Sequence, residues 1–365
     1  MLKRNIPVYQ PSLVGNEKKY VNECLDSTWI SSKGKFVSQF EDEFADYIKV
    51  GNATSVSNGT VALHLALDTL GITSGDEVIV PTLTYIASVN AIALAGATPV
   101  FVDVMQDSWN IDFNQIESKV TLKTKAVMIV HLYGLPCEMD EIVRICKENN
   151  LYLIEDAAEA FGSKYRGNHV GTFGDISTFS FFGNKTITTG EGGMVVSNDR
   201  NLISRASYLK SQSVSSTREY WHDEIGYNYR MTNICAAIGL AQLEKADETI
   251  SKKRQLADWY KEDLAGLDVD FQLDDSTVFN SFWMVSILLK TEELRNKIRE
   301  SLKANGIETR PLFYPAHTMP RFKSNESFPV SESLSKRGMN LPSYPELSRS
   351  DITFICSEIK KALPL

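Results

Sequence analysis

The sequence predicts an α/β protein: a mostly parallel β-sheet with helices on both faces, followed by a smaller α+β domain. Between residues 50 and 200, short apolar runs alternate with segments of helical periodicity, as in chains that form parallel sheets. Several runs are apolar without interruption, which is typical of strands covered on both faces. Tyr85, His131 and Asp156 stand at or just beyond the ends of such runs, where open α/β sheets bind ligands.

The large domain is expected to span residues 1–248. Residues 86–104 are apolar enough to resemble a membrane span, but Asn90, Gly96 and Pro99 interrupt them, so helix, turn and strand are predicted there. The strands of this domain are predicted at residues 77–80, 99–103, 126–131, 151–154, 176–182 and 194–197.

The small domain is expected to span residues 249–365. Residues 231–246 contain no proline and place their apolar side chains on one helical face, which predicts a helix just before the boundary. Residues 251–267 are rich in Lys and Glu and predict a helix that bridges the two domains. The remaining segments that indicate an α+β domain are 282–289, 292–305, 309–313 and 351–363.

Composition narrows the possible functions. With 43% hydrophobic and 23% charged residues over 365 positions, the chain has the composition of a globular protein. The net charge of −8 argues against a nucleic-acid-binding surface. Five widely spaced cysteines without a Cys-x-x-Cys pair fit reduced thiols, and neither they nor the five histidines form a metal-ligand pattern. Residues 1–8 lack the apolar stretch of a signal peptide, so a cytoplasmic protein with no membrane or metal partner is expected.

Lys185 is the strongest candidate for a catalytic residue. It ends the segment 180–185, Ser-Phe-Phe-Gly-Asn-Lys, and follows Asp156, which stands at the end of the strand predicted at 151–154. Pyridoxal phosphate needs an amine to bond to its aldehyde and a carboxylate to keep its ring nitrogen protonated, and these two residues can supply both. Lys185 must be neutral to act as a nucleophile, and burial beside a cationic ring lowers a lysine pKa from about 10.4. We therefore predict pyridoxal phosphate as the cofactor.

The phosphate of such a cofactor needs donors, which the amino end of a helix supplies. Gly59 and Thr60 precede the apolar segment 61–67, whose composition predicts a helix. Ser180 can add a second hydroxyl, and Tyr85 can stack on the pyridine ring. Taken alone, each of these residues is more often a cap, a turn or a packing residue, and it is their combination with Lys185 and Asp156 that favours a cofactor site. The sequence contains neither a P-loop nor a Gly-x-Gly-x-x-Gly turn that follows a strand, which excludes ATP and nicotinamide binding by those routes.

With these residues identified, the chain resembles the nucleotide-sugar aminotransferases of the aspartate-aminotransferase fold, the DegT-like family, over nearly its whole length. The resemblance implies fold type I of the pyridoxal phosphate enzymes and homodimers whose active sites are completed by the neighbouring subunit. It also implies transfer of an amino group from L-glutamate to C4 of a nucleotide-linked 4-keto-6-deoxyhexose. The segments that carry the resemblance are 57–60, 81–85, 131–134, 155–159, 180–185, 226–231 and 309–315.

Within that family, segments 28–34, 182–194 and 220–223 resemble members that aminate GDP-4-keto-6-deoxy-D-mannose for O-antigen synthesis. Another nucleotide 4-keto sugar is the alternative substrate. The related sugar 3-dehydratases carry His at the lysine position, so Lys185 argues against that activity. A non-catalytic regulator of the same fold would not need the combination of Asp156, Lys185 and Thr60.

The resemblance also assigns roles to single residues. Glu159 is expected to contact the phenolic oxygen of the cofactor, where many relatives carry Gln; the alternative is a solvated helix residue. Asn228 is expected to reach the phosphate bound by the other subunit, or else to shape the loop before residue 231. The residues expected at the substrate end are Trp29, Arg230, Arg310, Tyr314 and His317, with packing and capping roles as the alternative for the last three.

Overall fold

The computed structural model describes residues 5–363. Residues 1–4 and 364–365, at the outer ends of the two predicted domains, lie outside the described residues. Residues 1–4 are also half of the segment 1–8, in which no signal peptide was predicted. The strands in chain order are β1 Asn52–Val56, β2 Glu77–Pro81, β3 Thr98–Val102, β4 Thr124–Val130, β5 Tyr152–Asp156, β6 Lys164–Tyr165, β7 Asn168–His169, β8 Ile176–Ser180, β9 Gly193–Ser197, β10 Asp270–Phe271, β11 Val278–Phe279, β12 Val285–Leu288, β13 Arg310–Pro311 and β14 Gly338–Leu341. The α-helices are α1 Glu17–Asp26, α2 Lys35–Ile48, α3 Gly59–Thr69, α4 Ile86–Leu94, α5 Met139–Glu148, α6 Arg200–Leu209, α7 Asn233–Leu243, α8 Ala246–Asp263, α9 Glu292–Ala304, α10 Pro329–Arg337 and α11 Arg349–Ala362.

A seven-stranded sheet forms the main part of the molecule, in the order β1-β9-β8-β5-β4-β2-β3. The five strands from β3 to β8 are parallel. Strand β9 runs antiparallel to both of its neighbours, β8 and β1. The predicted α/β class and mostly parallel sheet are therefore confirmed, and the carboxyl ends of the parallel strands meet at one edge.

The uninterrupted apolar runs reflect a sheet covered on both faces. In β2, Val78 and Val80 pack into the core formed with α3 and α4, whereas Ile79 lies between them in sequence and packs on the opposite side with α5. Successive residues of a strand point to opposite faces, so a strand with two covered faces needs no polar position. The helix, turn and strand predicted over residues 86–104 are confirmed as α4 and β3. Within residues 5–363, no helix is both long enough and apolar enough to cross a membrane.

A second, antiparallel sheet lies in the carboxyl-terminal part of the chain, in the order β10-β12-β14-β13. Its apolar side chains share a core with α8, α9 and α11. The helix predicted over residues 231–246 is too long: α7 ends at Leu243 and α8 begins at Ala246. The proposed division at residue 248 falls inside the first turn of α8, and that division remains a prediction.

Candidate cofactor and active site

A cavity of about 600 Å³ lies at the carboxyl ends of the parallel strands. Its walls combine the first turn of α3, the end of β5, the segment after β8 and the residues just before β12. The predicted site residues that line it are Gly59, Thr60, Tyr85, Asp156, Glu159, Ser180, Lys185 and Arg310. Side chains that are more than 100 positions apart in sequence are thus brought to one place by the sheet.

Asp156 is the last residue of β5 and is almost completely buried. Its Oδ2 accepts a hydrogen bond of 2.7 Å from the Ser88 hydroxyl, and its Oδ1 accepts one of 3.1 Å from the amide of Ala158. Burial raises the pKa of Asp156, while Ser88, Ala158 and Lys185 oppose that rise. Both hydrogen-bond donors are neutral, so a cationic N–H in the cavity would stabilise this carboxylate further.

Lys185 lies on the turn that follows β8, with its side chain largely buried. Its Nζ is 3.8 Å from Glu159 Oε1 and 3.9 Å from the ring centroid of Trp283. Burial lowers the pKa of Lys185, whereas the charges of Glu159 and Asp156 raise it. A lysine with a lowered pKa supplies the neutral amine that a nucleophile requires.

Glu159 is buried in the turns after β5, so the alternative of a solvated helix residue is wrong. Its Oε2 accepts a hydrogen bond of 2.9 Å from the amide of Tyr133. Burial raises the pKa of Glu159 to about 7, although Lys185 and the Tyr133 amide oppose that rise. Near neutral pH this side chain can therefore either accept or donate a hydrogen bond.

The first turn of α3, called here the anion turn, has the geometry of an anion site. The side chain of Asn58 caps α3 by accepting a 3.0 Å hydrogen bond from the amide of Val61. The first amides of a helix have no partner within it, and the helix dipole favours an anion there. Gly59 packs so closely against Ser180 that a Cβ at position 59 would lie 2.7 Å from Ser180 Cβ, a distance that real side chains do not adopt. Glycine thus lets the turn and the hydroxyl of Ser180 approach one group from two sides.

These residues fit pyridoxal phosphate. The cavity presents the amine of Lys185, the buried carboxylate of Asp156, whose hydrogen-bond donors are both neutral, and an anion site. Among the described residues, the buried side-chain oxygen of Asn184, beside Lys185, has no hydrogen-bond partner, and neither has that of Thr186. Tyr85 lines the cavity with its ring centroid 5.6 Å from that of Phe313.

Some of the predicted site residues do not line this cavity. His317 is buried elsewhere: its Nδ1 lies 2.7 Å from the hydroxyl of Thr82 and its ring packs against Phe328, so it has the packing role left open for it. Tyr314 is exposed, and Trp29 lines a separate depression beside Lys33 and Lys35.

Asn228 and Arg230 also lie outside the cavity. The guanidinium of Arg230 donates two hydrogen bonds, of 2.9 and 3.2 Å, to the side-chain oxygen of Asn228. Arg230 pairs with Val56, the last residue of β1, and therefore lies close to the anion turn. Their expected contact with a second subunit remains a prediction.

Sequence reasoning missed several residues around Lys185. Ser88 contacts Asp156, Tyr133 contacts Glu159, and Trp283 contacts Lys185. Tyr133 lies in segment 131–134, which carries the resemblance, but no role was predicted for it, and no local pattern marks Ser88 or Trp283. Trp283 stands in the segment 282–289, where its apolar neighbours indicate only a core strand. Among the described residues, no group of His, Cys, Asp and Glu side chains is arranged to hold a metal ion.

The fold and the cavity define a class of enzyme: the chain belongs to the DegT/DnrJ/EryC1/StrS aminotransferase family, which matches residues 11–360. Two relatives are named GDP-perosamine synthase. The Escherichia coli O157:H7 protein is 61% identical over 357 residues, with 98% of each chain covered. The Vibrio cholerae protein is 53% identical over 360 residues, with 97% of this chain and 98% of that protein covered.

A solved structure agrees with this membership. A Streptococcus pneumoniae protein described as a sugar aminotransferase, in its PLP form, superposes with a TM-score of 0.93. It is 27% identical, and the superposition covers 99% of this chain and all of that one (100%). The chain therefore has the fold-type-I architecture that the resemblance implied.

Proposed function

We propose that this protein uses pyridoxal phosphate to transfer an amino group from L-glutamate to C4 of GDP-4-keto-6-deoxy-D-mannose, which gives GDP-perosamine for O-antigen synthesis. The observation that carries the chemistry is the meeting of Lys185 and Asp156 in one cavity, beside the anion turn at the start of α3. The sugar is inferred from the two relatives, 61% and 53% identical, that are named for this product.

Each residue of the cavity has a distinct task in this proposal. Pyridoxal phosphate supplies the aldehyde that carries the amino group and the ring that withdraws electrons from the bond being broken. Asp156 holds the ring nitrogen in its protonated form, and the turn of Gly59 and Thr60 holds the phosphate together with Ser180. Lys185, once free, takes the proton from Cα of glutamate and later returns a proton to C4 of the sugar. Positioning these groups accounts for much of the rate enhancement.

The substrate end of the cavity is assigned to Arg310, which lines the cavity from β13. A guanidinium binds carboxylates and phosphates through two parallel hydrogen bonds, so it suits either glutamate or the diphosphate. We assign Asn228 and Arg230 to the site of a second subunit in a homodimer, and Trp29 and Tyr314 to the nucleotide side. Trp29, Asn228 and Tyr314 are exposed and Arg230 is half-buried, which supports such external contacts. The expected location is the cytoplasm, where such sugar nucleotides are made.

A panel of GDP-, UDP- and dTDP-linked 4-keto-6-deoxyhexoses tests the proposed substrate. The purified protein is incubated with each sugar and glutamate, and 2-oxoglutarate formation is measured. Preference for the GDP sugar is the expected result. Preference for a UDP or dTDP sugar would refute the GDP assignment and leave the aminotransferase reaction intact.

The Lys185→Ala variant tests the chemistry independently of the sugar. We expect turnover to disappear, whereas the Lys297→Ala variant, at an exposed position on α9, should retain it. Residual activity close to that of the unaltered protein in Lys185→Ala would exclude Lys185 as the amine.

A further inference from the structure

Trp283 makes two contacts with the lysine turn. Its ring centroid lies 3.9 Å from Lys185 Nζ, and its indole N–H donates a 2.7 Å hydrogen bond to the carbonyl oxygen of Asn184. The first contact holds the amine, and the second holds the backbone immediately before it. A cation within about 6 Å of a tryptophan ring centroid is attracted by the negative face of the ring.

The ring of Trp283 is itself held in place. It is 5% exposed and stacks on the ring of Tyr133, with 6.1 Å between centroids and 11° between planes. The buried ammonium of Lys253, on α8, donates hydrogen bonds to the carbonyl oxygens of Trp283, at 3.1 Å, and Ser343, at 2.6 Å. Trp283 therefore presents a fixed surface to Lys185 and does not need to order itself when the amine arrives.

The amine of Lys185 also lies near Glu159. The Oε1 atom of Glu159 is 3.8 Å from Lys185 Nζ, and the charge of Asp156 on β5 also raises the pKa of Lys185. Burial disfavours the charged amine, so the groups near it decide up to which pH it stays protonated. The ring of Trp283 and the carboxylate of Glu159 both favour the charged form.

We propose that Trp283 is a positioning residue that, together with Glu159, forms a resting place for the free ammonium of Lys185. In the cycle, the lysine amine is released whenever the amino group is on the cofactor, and it must stay within reach for its next proton transfer. The face of the Trp283 ring keeps the amine of Lys185 in the cavity, and the indole N–H fixes the backbone of the turn at Asn184. The role of this resting place in catalysis rests on the proposed function, whereas the contacts that form it do not.

The test is the pH at which Lys185 becomes reactive in the cofactor-free, full-length protein. Competitive labelling with acetic anhydride from pH 6 to 11, followed by mass analysis of the Lys185 peptide, gives a profile whose midpoint follows the lysine pKa. In Trp283→Leu, which removes the ring, we expect the midpoint to fall by about one pH unit. In Trp283→Phe, which keeps a ring and loses the N–H, the fall should be less than half as large.

A merely structural role would change the final labelling rate or the thermal stability without moving the midpoint. Trp259→Leu, the same substitution at a half-buried position of α8 packed against the core, is the matched control and should leave the profile unchanged. If Trp283→Leu does not fold, 5-fluorotryptophan in place of the five tryptophans weakens the ring with little change in shape. It should shift the midpoint in the same direction. An unchanged or higher midpoint in Trp283→Leu, or in the protein that contains 5-fluorotryptophan, overturns the proposal.

The proposed function is tested separately. Borohydride treatment of the unaltered protein with pyridoxal phosphate should fix the cofactor to the Lys185 peptide. Fixation elsewhere would remove the proposed chemistry and leave the labelling profile as an independent result.

Discussion

Replacing Glu159 by Gln should stabilise the cofactor-free protein, and more so at high pH. Burial raises the pKa of Glu159 from the ordinary 4.5 to about 7. An acid with a raised pKa in the folded state destabilises the fold as the pH rises from its unfolded value to its folded value. The difference between the two values, at about 1.4 kcal/mol per pH unit, corresponds to about 3 kcal/mol above pH 7.

Gln is neutral and close to Glu in shape, and its side-chain oxygen can still accept the hydrogen bond from the Tyr133 amide. The advantage of Glu159→Gln should therefore be about 1 kcal/mol at pH 5.5 and about 3 kcal/mol at pH 8.5. The assay is urea unfolding of both proteins at fixed concentration and at several pH values, since assembly would make the midpoint depend on concentration.

Glu43→Gln, at an exposed position of α2, is the matched control and should differ little from the unaltered protein at any pH. The reasoning is refuted if Glu159→Gln is no more stable than the unaltered protein at pH 8.5, or if its advantage shrinks as the pH rises. Either result would mean that Lys185 compensates the buried carboxylate fully.

Three further substitutions probe the cavity and its support. Asp156→Asn should lower turnover by on the order of 10², measured with saturating glutamate, because a neutral amide cannot hold the ring nitrogen protonated. Gly59→Ala should lower the free energy of unfolding in urea by about 1–3 kcal/mol and weaken cofactor binding in equilibrium dialysis, because the new Cβ meets Ser180. Gly51→Ala, whose new Cβ would make only ordinary contacts, is the control and should change neither quantity. Glu155→Gln should lower the thermal midpoint, because the fully buried carboxylate accepts three backbone hydrogen bonds; an unchanged midpoint would contradict that support.

The parallel strands and the central pair of site residues could be predicted because their causes are local. The strands of the large sheet need apolar side chains on both faces, so their sequences show it directly. Asp156 and Lys185 each follow a strand, and strand ends meet at one edge of a parallel sheet. The division between α7 and α8 was predicted too late, after residue 246, because residues 244–245 contain neither Gly nor Pro to mark it.

The surroundings of the site could not be predicted because they depend on contacts between distant segments. Trp283 meets Asn184 across 99 positions, and Ser88 meets Asp156 across 68. No spacing rule connects such pairs before the fold is known. His317 shows the converse: a histidine expected at the substrate end faces Thr82 and Phe328, and its direction is set by tertiary packing.

The pairing of β1 bears on how the protein assembles during synthesis. Strand β1 leads directly into the anion turn, yet its partner in the large sheet is β9, and Asn52 pairs with Ser197, 145 positions later (197 minus 52). Contacts between such distant segments form only after a large loop has been closed. The chain must therefore be synthesised through β9 before β1, which precedes the anion turn, can pair with its neighbour in the sheet. Cofactor binding is thus expected late in folding, after most of the large sheet has formed.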